Sequence, residues 1–435
     1  MAALAATSLV AGPSVAVPLS LSCALSRTDA HHSEGLDTWN AAYPRPTRRL
    51  DAVMVFLSFP DAEPLTTPAE LTADHFPATS RFFERASYGR FQLRPNPLAE
   101  WIQMPRTATS YAIRRDWNPA QRSAYLRDAL AAADERVDFS RYDVVYFVAD
   151  PDAPGVDSDA TKVVNLDTPL RADGKDIRRV VTVFEKHPPD RLVLAHETGH
   201  VFDLPDLYHR PTDGEGDWDT YVGDWDLMGS QFGLAPDLFG WHKWKLGWLE
   251  PRQVACVRGA GNGGTRLTLE PLGAGPGVGV AAAGAEVGVG AGAGDGVYGA
   301  GGAAFGTGVG AVGAGSEAVA FGSGSGTKLA VVRTGPDSAV AIEARGPVGN
   351  DGAACSQGVL VYRVRSAAES GRGPIEVVDA HPTTEACPDD SVYPPLADAP
   401  VGLGESFTVP GEDVRIEVED RTASGAWTVT ISTGR

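Results

Sequence analysis

His196 and His200 stand four residues apart around Glu197 in the stretch HETGHVFDLPDLY, residues 196–208. On a helix, residues i and i+4 share a face, so the two imidazoles can grip one metal ion together. Glu197 points roughly 100° away round the helix, too far to be a comfortable third ligand. It can instead stand beside a water held at the ion. Zinc fits this set: imidazole suits it, and a catalytic zinc keeps three protein ligands and one open position. Zinc lowers the pKa of its water toward about 7, and a neighbouring carboxylate can take the proton as the water attacks a carbonyl. The competing reading is a surface helix with two solvated histidines. The LVLA run before His196 counts against it, because two histidines and a glutamate on an apolar, buried helix need partners.

A third ligand must arrive soon after His200. Asp206 follows it by six residues, with Asp203 and Pro205 between. Aspartate tolerates the left-handed conformation better than most residues, and proline stops a helix. The chain therefore bends, and Asp206 can swing back to the ion. Asp203 itself competes for the role, as do Asp219, Asp224 and Asp226 in GEGDWDTYVGDWD. Asp213, Glu215, Asp217 and Asp219, or the acids of DPDAPGVDSD at 150–159, make calcium a second candidate ion, although neither run follows an EF-hand pattern. The His31–His32 pair and His242 have no partner at ligand spacing and read as structural or exposed. Trp218, Trp225, Trp241, Trp244 and Trp248 read as core or cleft wall.

The surrounding chain must position these groups. At 435 residues, two domains are expected. DAVMVFLSF, YDVVYFVAD and VVTVFEK read as buried strands. Phe82, Phe83 and Ala86 lie at helical spacing before a stop at Gly89, and AQRSAYLRDALAAADERV is an amphipathic helix. Strands mixed with helices predict an α+β catalytic domain over 48–250. After it, TRLTLEPL, KLAVVRT, AVAIEAR, GVLVYRVR, DVRIEVEDR and AWTVTISTG alternate apolar with polar between turn residues. They predict an antiparallel β-sandwich over 251–435. Residues 273–326 are almost only Gly, Ala and Val, with no Lys or Arg. Such a segment buries too little surface to offset its ordering entropy, so it reads as a flexible insertion between two strands.

Residues 1–28 are apolar and uncharged before Arg27, as in a secretory signal, and 29–47 read as a linker. Pro13 and Pro18 break that run, and no other stretch is apolar enough to span a membrane. The formal net charge of −19 argues against nucleic-acid and anionic-membrane partners. Four cysteines suit export and allow three pairings. Cys355 with Cys387 is one candidate bridge, which leaves Cys23 and Cys256 as the other. Cleavage of a signal is then expected before Cys23. The short stretch between signal and first strand suggests secretion in a nearly active form.

HETGHVFDLPDLY, followed by GDWDLMGS and FGWHKWKLGWLEP, resembles the immune inhibitor A-type family of secreted bacterial zinc metallopeptidases. That family is similar to the metzincins, whose extended motif is HExxHxxGxxH or HExxHxxGxxD. FFERASYGRFQL is a further point of likeness, so the resemblance covers about residues 50 to 250 and the β region more loosely. It implies a zincin-like fold, His196, His200 and Asp206 as zinc ligands, Glu197 as general base, and Met228 in the turn beneath the metal. Two positions depart from the pattern. Asp203 stands where glycine is usual, and no tyrosine lies two residues after Met228, with Gln231 nearby instead. The expectation is an extracellular, monomeric zinc endopeptidase acting on proteins or peptides. The alternative is a non-catalytic secreted binding protein whose metal site is structural; an intact Glu197 beside an open coordination position favours the enzyme.

Overall fold

Apolar runs that fill almost every position belong to strands covered on both faces, and the first such run forms β1 (Arg49–Ser58). The computed structural model of the protein describes residues 22–434 apart from 191, 212–215, 259–263 and 276–325. The fold is mixed α and β, mostly β with few helices, and has three sheets. β1 lies inside a sheet with β2 (Gln92–Gln103), β3 (Val144–Ala149), β4 (Lys162–Ala172) and β5 (Lys175–Val183), in the order β2-β1-β3-β5-β4. The first four in that order run parallel, and β4 closes the sheet antiparallel to β5. β2 carries Pro95 and Pro97, which lack an N–H and are tolerated because the strand is at an edge.

The helices cover the two faces of this sheet. α1 (Pro68–His75) starts in a capping box between Thr67 and Glu70, and α2 (Ala78–Ala86) follows it. α3 (Ala108–Tyr111) is a single turn, and α4 (Pro119–Ala133) starts on an Asn118 cap. From α4, Tyr125, Leu126 and Ala129 pack with Val53, Val55 and Phe147. On the opposite face, Met54, Phe56, Tyr146 and Val148 meet Phe82 and Phe83 of α2 and Leu194 and Val201 of α5 (Val193–Val201). The expected strands and helices of this half all form. β2 and β4 were not anticipated, and β4 matters most because it runs beside α5.

α6 (Gly240–Lys245) leads into the second half. β6 (Val254–Val257), β8 (Leu329–Arg333), β9 (Ser338–Arg345), β10 (Gly358–Arg365) and β11 (Ile375–Val377) make one sheet; β7 (Thr265–Leu269), β12 (Ser406–Thr408), β13 (Val414–Arg421) and β14 (Trp427–Thr433) make another. Val332, Val340, Ile342 and Val361 from the first sheet meet Ile416, Val429 and Ile431 from the second. The pairing is antiparallel except between β6 and β8, which are parallel. That corrects the purely antiparallel expectation. The Gly/Ala-rich insertion connects β7 to β8. Its segment 276–325 lies outside the described residues, while Glu270 N–H donates to the Thr327 carbonyl at its base. α7 (Pro394–Ala397) lies in the loop after β11.

The two halves share one core. The outer face of the β6–β11 sheet, including Leu329, Val331, Ala341, Leu360 and Tyr362, belongs to the same apolar cluster as Phe83, Phe202, Trp241 and Trp248. Buried charge joins them too. Arg345 on β9 donates to Asp351 and Glu343 and to the backbone carbonyls of Trp225, Ala235 and Asp237. Residues 22–47 are also part of the fold. Cys23 and Leu25 are buried, as are His32, Ser33 and Glu34, so the 29–47 linker and the last residues of the 1–28 segment are packed structure; residues 1–21 lie outside the described residues. The bridges are Cys23–Cys256 and Cys355–Cys387. No described helix is long and apolar enough to cross a membrane. Replacing Arg345 with methionine strands Asp351 and Glu343 without their cation, and we expect a loss of about 3–5 kcal/mol in urea unfolding. A loss below about 1 kcal/mol would show that the network contributes little.

Candidate metal centre

The sequence Val193–Val201 forms α5 after Leu192, which takes a left-handed conformation (φ 58°) and turns the chain into the helix. Every residue of α5 is buried, so its polar groups need partners. His196 Nδ1 lies 3.0 Å from the Leu227 carbonyl, and His200 Nδ1 lies 2.8 Å from the Leu204 carbonyl. A carbonyl can only accept, so each Nδ1 carries its proton and each Nε2 of the neutral ring is left as a lone-pair donor. That is the arrangement of metal-ligating histidines.

The helix ends in the bend expected from sequence. Asp203 adopts φ 66°, and Leu204 N–H returns to the Gly199 carbonyl. Asp206 then comes back over the helix, with Oδ1 3.0 Å from His200 Nε2 and 3.4 Å from His196 Nε2. Two ligands about 2.05 Å from a tetrahedral ion stand roughly 3.3 Å apart, so the spacing suits zinc. His196, His200 and Asp206 form the single group of three such donors among the described residues, all within 4.8 Å of one another. With no metal ion between them, the Asp206 carboxylate draws a proton onto His200 in the place an ion would take. Burial works to lower His200, yet the Asp206 carboxylate raises it to about 9. Burial works to raise Asp206, yet the charge on His200 and hydrogen bonds from both imidazoles hold it well below the usual carboxylate range.

The four competing aspartates are placed elsewhere. Asp203 points behind the site, to Arg27 and His32. Asp224 accepts from Leu234 N–H, Val392 N–H and the Ser391 hydroxyl. Asp226 accepts from the Met228 and Phe239 amides and faces His242. Asp219 does line the same cleft, where burial and Asp217 push it up to about 6. It is outside the three-donor group. Met228, expected in the turn beneath the metal, packs against α5, so close that a Cβ on Gly199 would stand 2.4 Å from its sulfur. Glycine at 199 is therefore a packing requirement. Of the calcium candidates, Asp213 and Glu215 lie outside the described residues. Asp150 and Asp157 cap local turns, and the acids at 150–159 do not gather into an ion-holding group.

Glu197 lines the same cleft as the three donors, a space of about 580 Å³. Its Oε2 accepts a 2.6 Å hydrogen bond from Val163 N–H on β4, which leaves Oε1 for other work. Several contributors had no signal in the sequence. The Leu204 and Leu227 carbonyls are backbone atoms. Ser370, from the β half, accepts from Asp206 N–H at 2.8 Å and donates to Asp206 Oδ2 at 3.0 Å. Tyr208 stacks on His196 at 6.5 Å between centroids. His32 and His242, expected to be structural or exposed, are both buried and partnered.

His242 holds up the Met228 turn through Asp226, with Glu34 on its other nitrogen. Burial works to lower its pKa, but Glu34 and Asp226 raise it to about 9. A raised histidine stabilises the fold fully below its unfolded value of about 6.5, and the contribution is lost as pH rises through about 9. Urea unfolding at stepped pH should show the stability gap between wild type and His242→Gln shrinking by on the order of 3 kcal/mol between about pH 6.5 and 9. A gap that stays constant across that window would mean His242 is held neutral.

No family model matches the chain, and no curated protein matches it.

Proposed function

We propose that the protein is a secreted zinc-dependent endopeptidase of the immune inhibitor A type, with a zincin-like catalytic region. The observation that carries this is the meeting of His196 Nε2, His200 Nε2 and an Asp206 oxygen, with Glu197 in the same cleft. Two imidazoles and one carboxylate are a donor set that would suit zinc, and all three residues line one cleft. Zinc bound there would polarise a scissile carbonyl and acidify a water.

The chain's own residues account for the rest. Val163 N–H fixes one oxygen of Glu197. The other oxygen would take a proton from the attacking water and pass it to the leaving amine. β4 ends its sheet, so its outer edge offers backbone groups to an extended peptide. Lys162, Trp218 and Phe232 stand along the cleft as contacts for substrate side chains. The two disulfides and the signal-like first residues support an extracellular address.

The deciding assay is casein cleavage by the purified protein, with and without a zinc chelator, beside Glu197→Ala. We expect the chelator to silence the wild type and zinc to restore it. Glu197→Ala should bind zinc equally well and lose about 10²–10⁴-fold in kcat. A variant that cuts as fast as wild type would remove Glu197 from the mechanism. A wild type that holds one zinc and cuts no protein would favour a structural metal in a binding protein.

A further inference from the structure

Residues 22–37 run behind the metal centre as a strap, and its contacts converge on one residue. Cys23 ties its start to β6 through Cys256. The strap then doubles back on itself: Leu36 N–H donates to the Leu25 carbonyl, and a Cβ on Gly35 would lie 2.1 Å from Arg27 Cα. Thr28 and Ser33 hydroxyls both donate to the Ser366 carbonyl. Glu34 reaches His242 at 2.8 Å and Lys245 at 3.5 Å. At the tip, Arg27 Nη1 lies 2.7 Å from Asp203 Oδ2, and His32 Nδ1 lies 2.9 Å from Asp203 Oδ1. The His32 ring stacks on the ligand His200, 5.7 Å between centroids and 27° between planes.

Asp203 is therefore a fully buried carboxylate on a left-handed residue. That conformation is costly for a side chain with a Cβ, and a buried carboxylate is costly without partners. Both costs are offset by groups outside the motif: Arg27 and His32 on the side chain, and Lys245 Nζ at 2.7 Å on the carbonyl. The next residue supplies the carbonyl that orients His200, and the residue two further on is the third ligand. We propose that Arg27 and His32 are positioning residues of the metal centre, delivered by a disulfide-anchored strap, so that residues 22–37 complete the site from behind. This rests on the reading of the site as a metal centre. It makes the start of the described chain the opposite of an inhibitory pro-segment: removing it should weaken metal binding.

The test uses apo protein with cobalt(II) and with zinc competed against a chelating indicator, so the readouts are a visible spectrum and a dissociation constant rather than turnover. Wild type should take up one metal ion with a tetrahedral cobalt spectrum, and His196→Ala should lose it. Arg27→Ala and His32→Ala should each raise the zinc dissociation constant about 10–100-fold. His32→Asn, whose amide can replace the Nδ1 donor, should recover most of the affinity. In Asp203→Gly, which frees the bend of strain and removes the anchor, neither strap substitution should have any further effect. Cys23→Ser with Cys256→Ser alters no group at the site and should weaken metal binding in the same direction; it carries the test if the alanine variants do not fold. If wild type binds no metal, the metal-centre reading falls. If wild type binds and His196→Ala does not, while folded strap variants bind as tightly as wild type, the strap proposal falls alone.

Discussion

Two backbone carbonyls orient the two histidines of the candidate metal centre. Leu204 and Leu227 each accept from the Nδ1 of one histidine, and a histidine whose Nδ1 is committed can offer only Nε2. Two networks near the site hold the segments that carry those oxygens. Leu227 belongs to the loop between α5 and α6, where Asp226 gathers the amides of Met228 and Phe239 and Arg345 satisfies three neighbouring carbonyls. Leu204 follows the bend at Asp203. Both holding networks are charged and buried, where an unpaired charge is far more costly than a missing apolar contact. They tolerate little independent movement.

The same networks join the two halves. Arg345 and Ser370 come from the β half, and one holds the Met228 loop while the other holds Asp206. The apolar core that contains Phe83 and Trp248 also contains Leu329 and Val331 from that half. The β half thus supplies hydrogen bonds to Asp206 of the candidate metal centre.

Much of this was legible in the chain. The i, i+4 spacing of His196 and His200 placed both donors on one helix face, and the Asp203–Pro205 pair marked the bend that returns Asp206. Alternation of apolar residues located β7–β10, β13 and β14. What stayed hidden was of two kinds. β2 carries two prolines and β4 is mixed in burial, so neither shows the pattern of a buried strand. The carbonyl partners and Ser370 carry no residue-type signal at all, because a carbonyl is present at every position. His32 was passed over since its partner lies 171 residues away, a distance no local spacing rule can span.

Asp203 shows how such a departure from a local rule can be kept. Glycine would meet φ 66° without strain, and the bend would still bring Asp206 over the helix. It would offer nothing, however, for the strap to grip. With aspartate, the cost of the turn is coupled to the docking of Arg27 and His32, which pair with its carboxylate. The Lys245 ammonium, shared between the Asp203 carbonyl and Glu34, extends this coupling to His242 and thus to Asp226. The Leu204 and Leu227 carbonyls, which hold the two histidines from opposite sides, are in this way fastened to one buried charge network. A ligand set built on a nine-residue helix is made rigid by residues drawn from the start, middle and end of the chain.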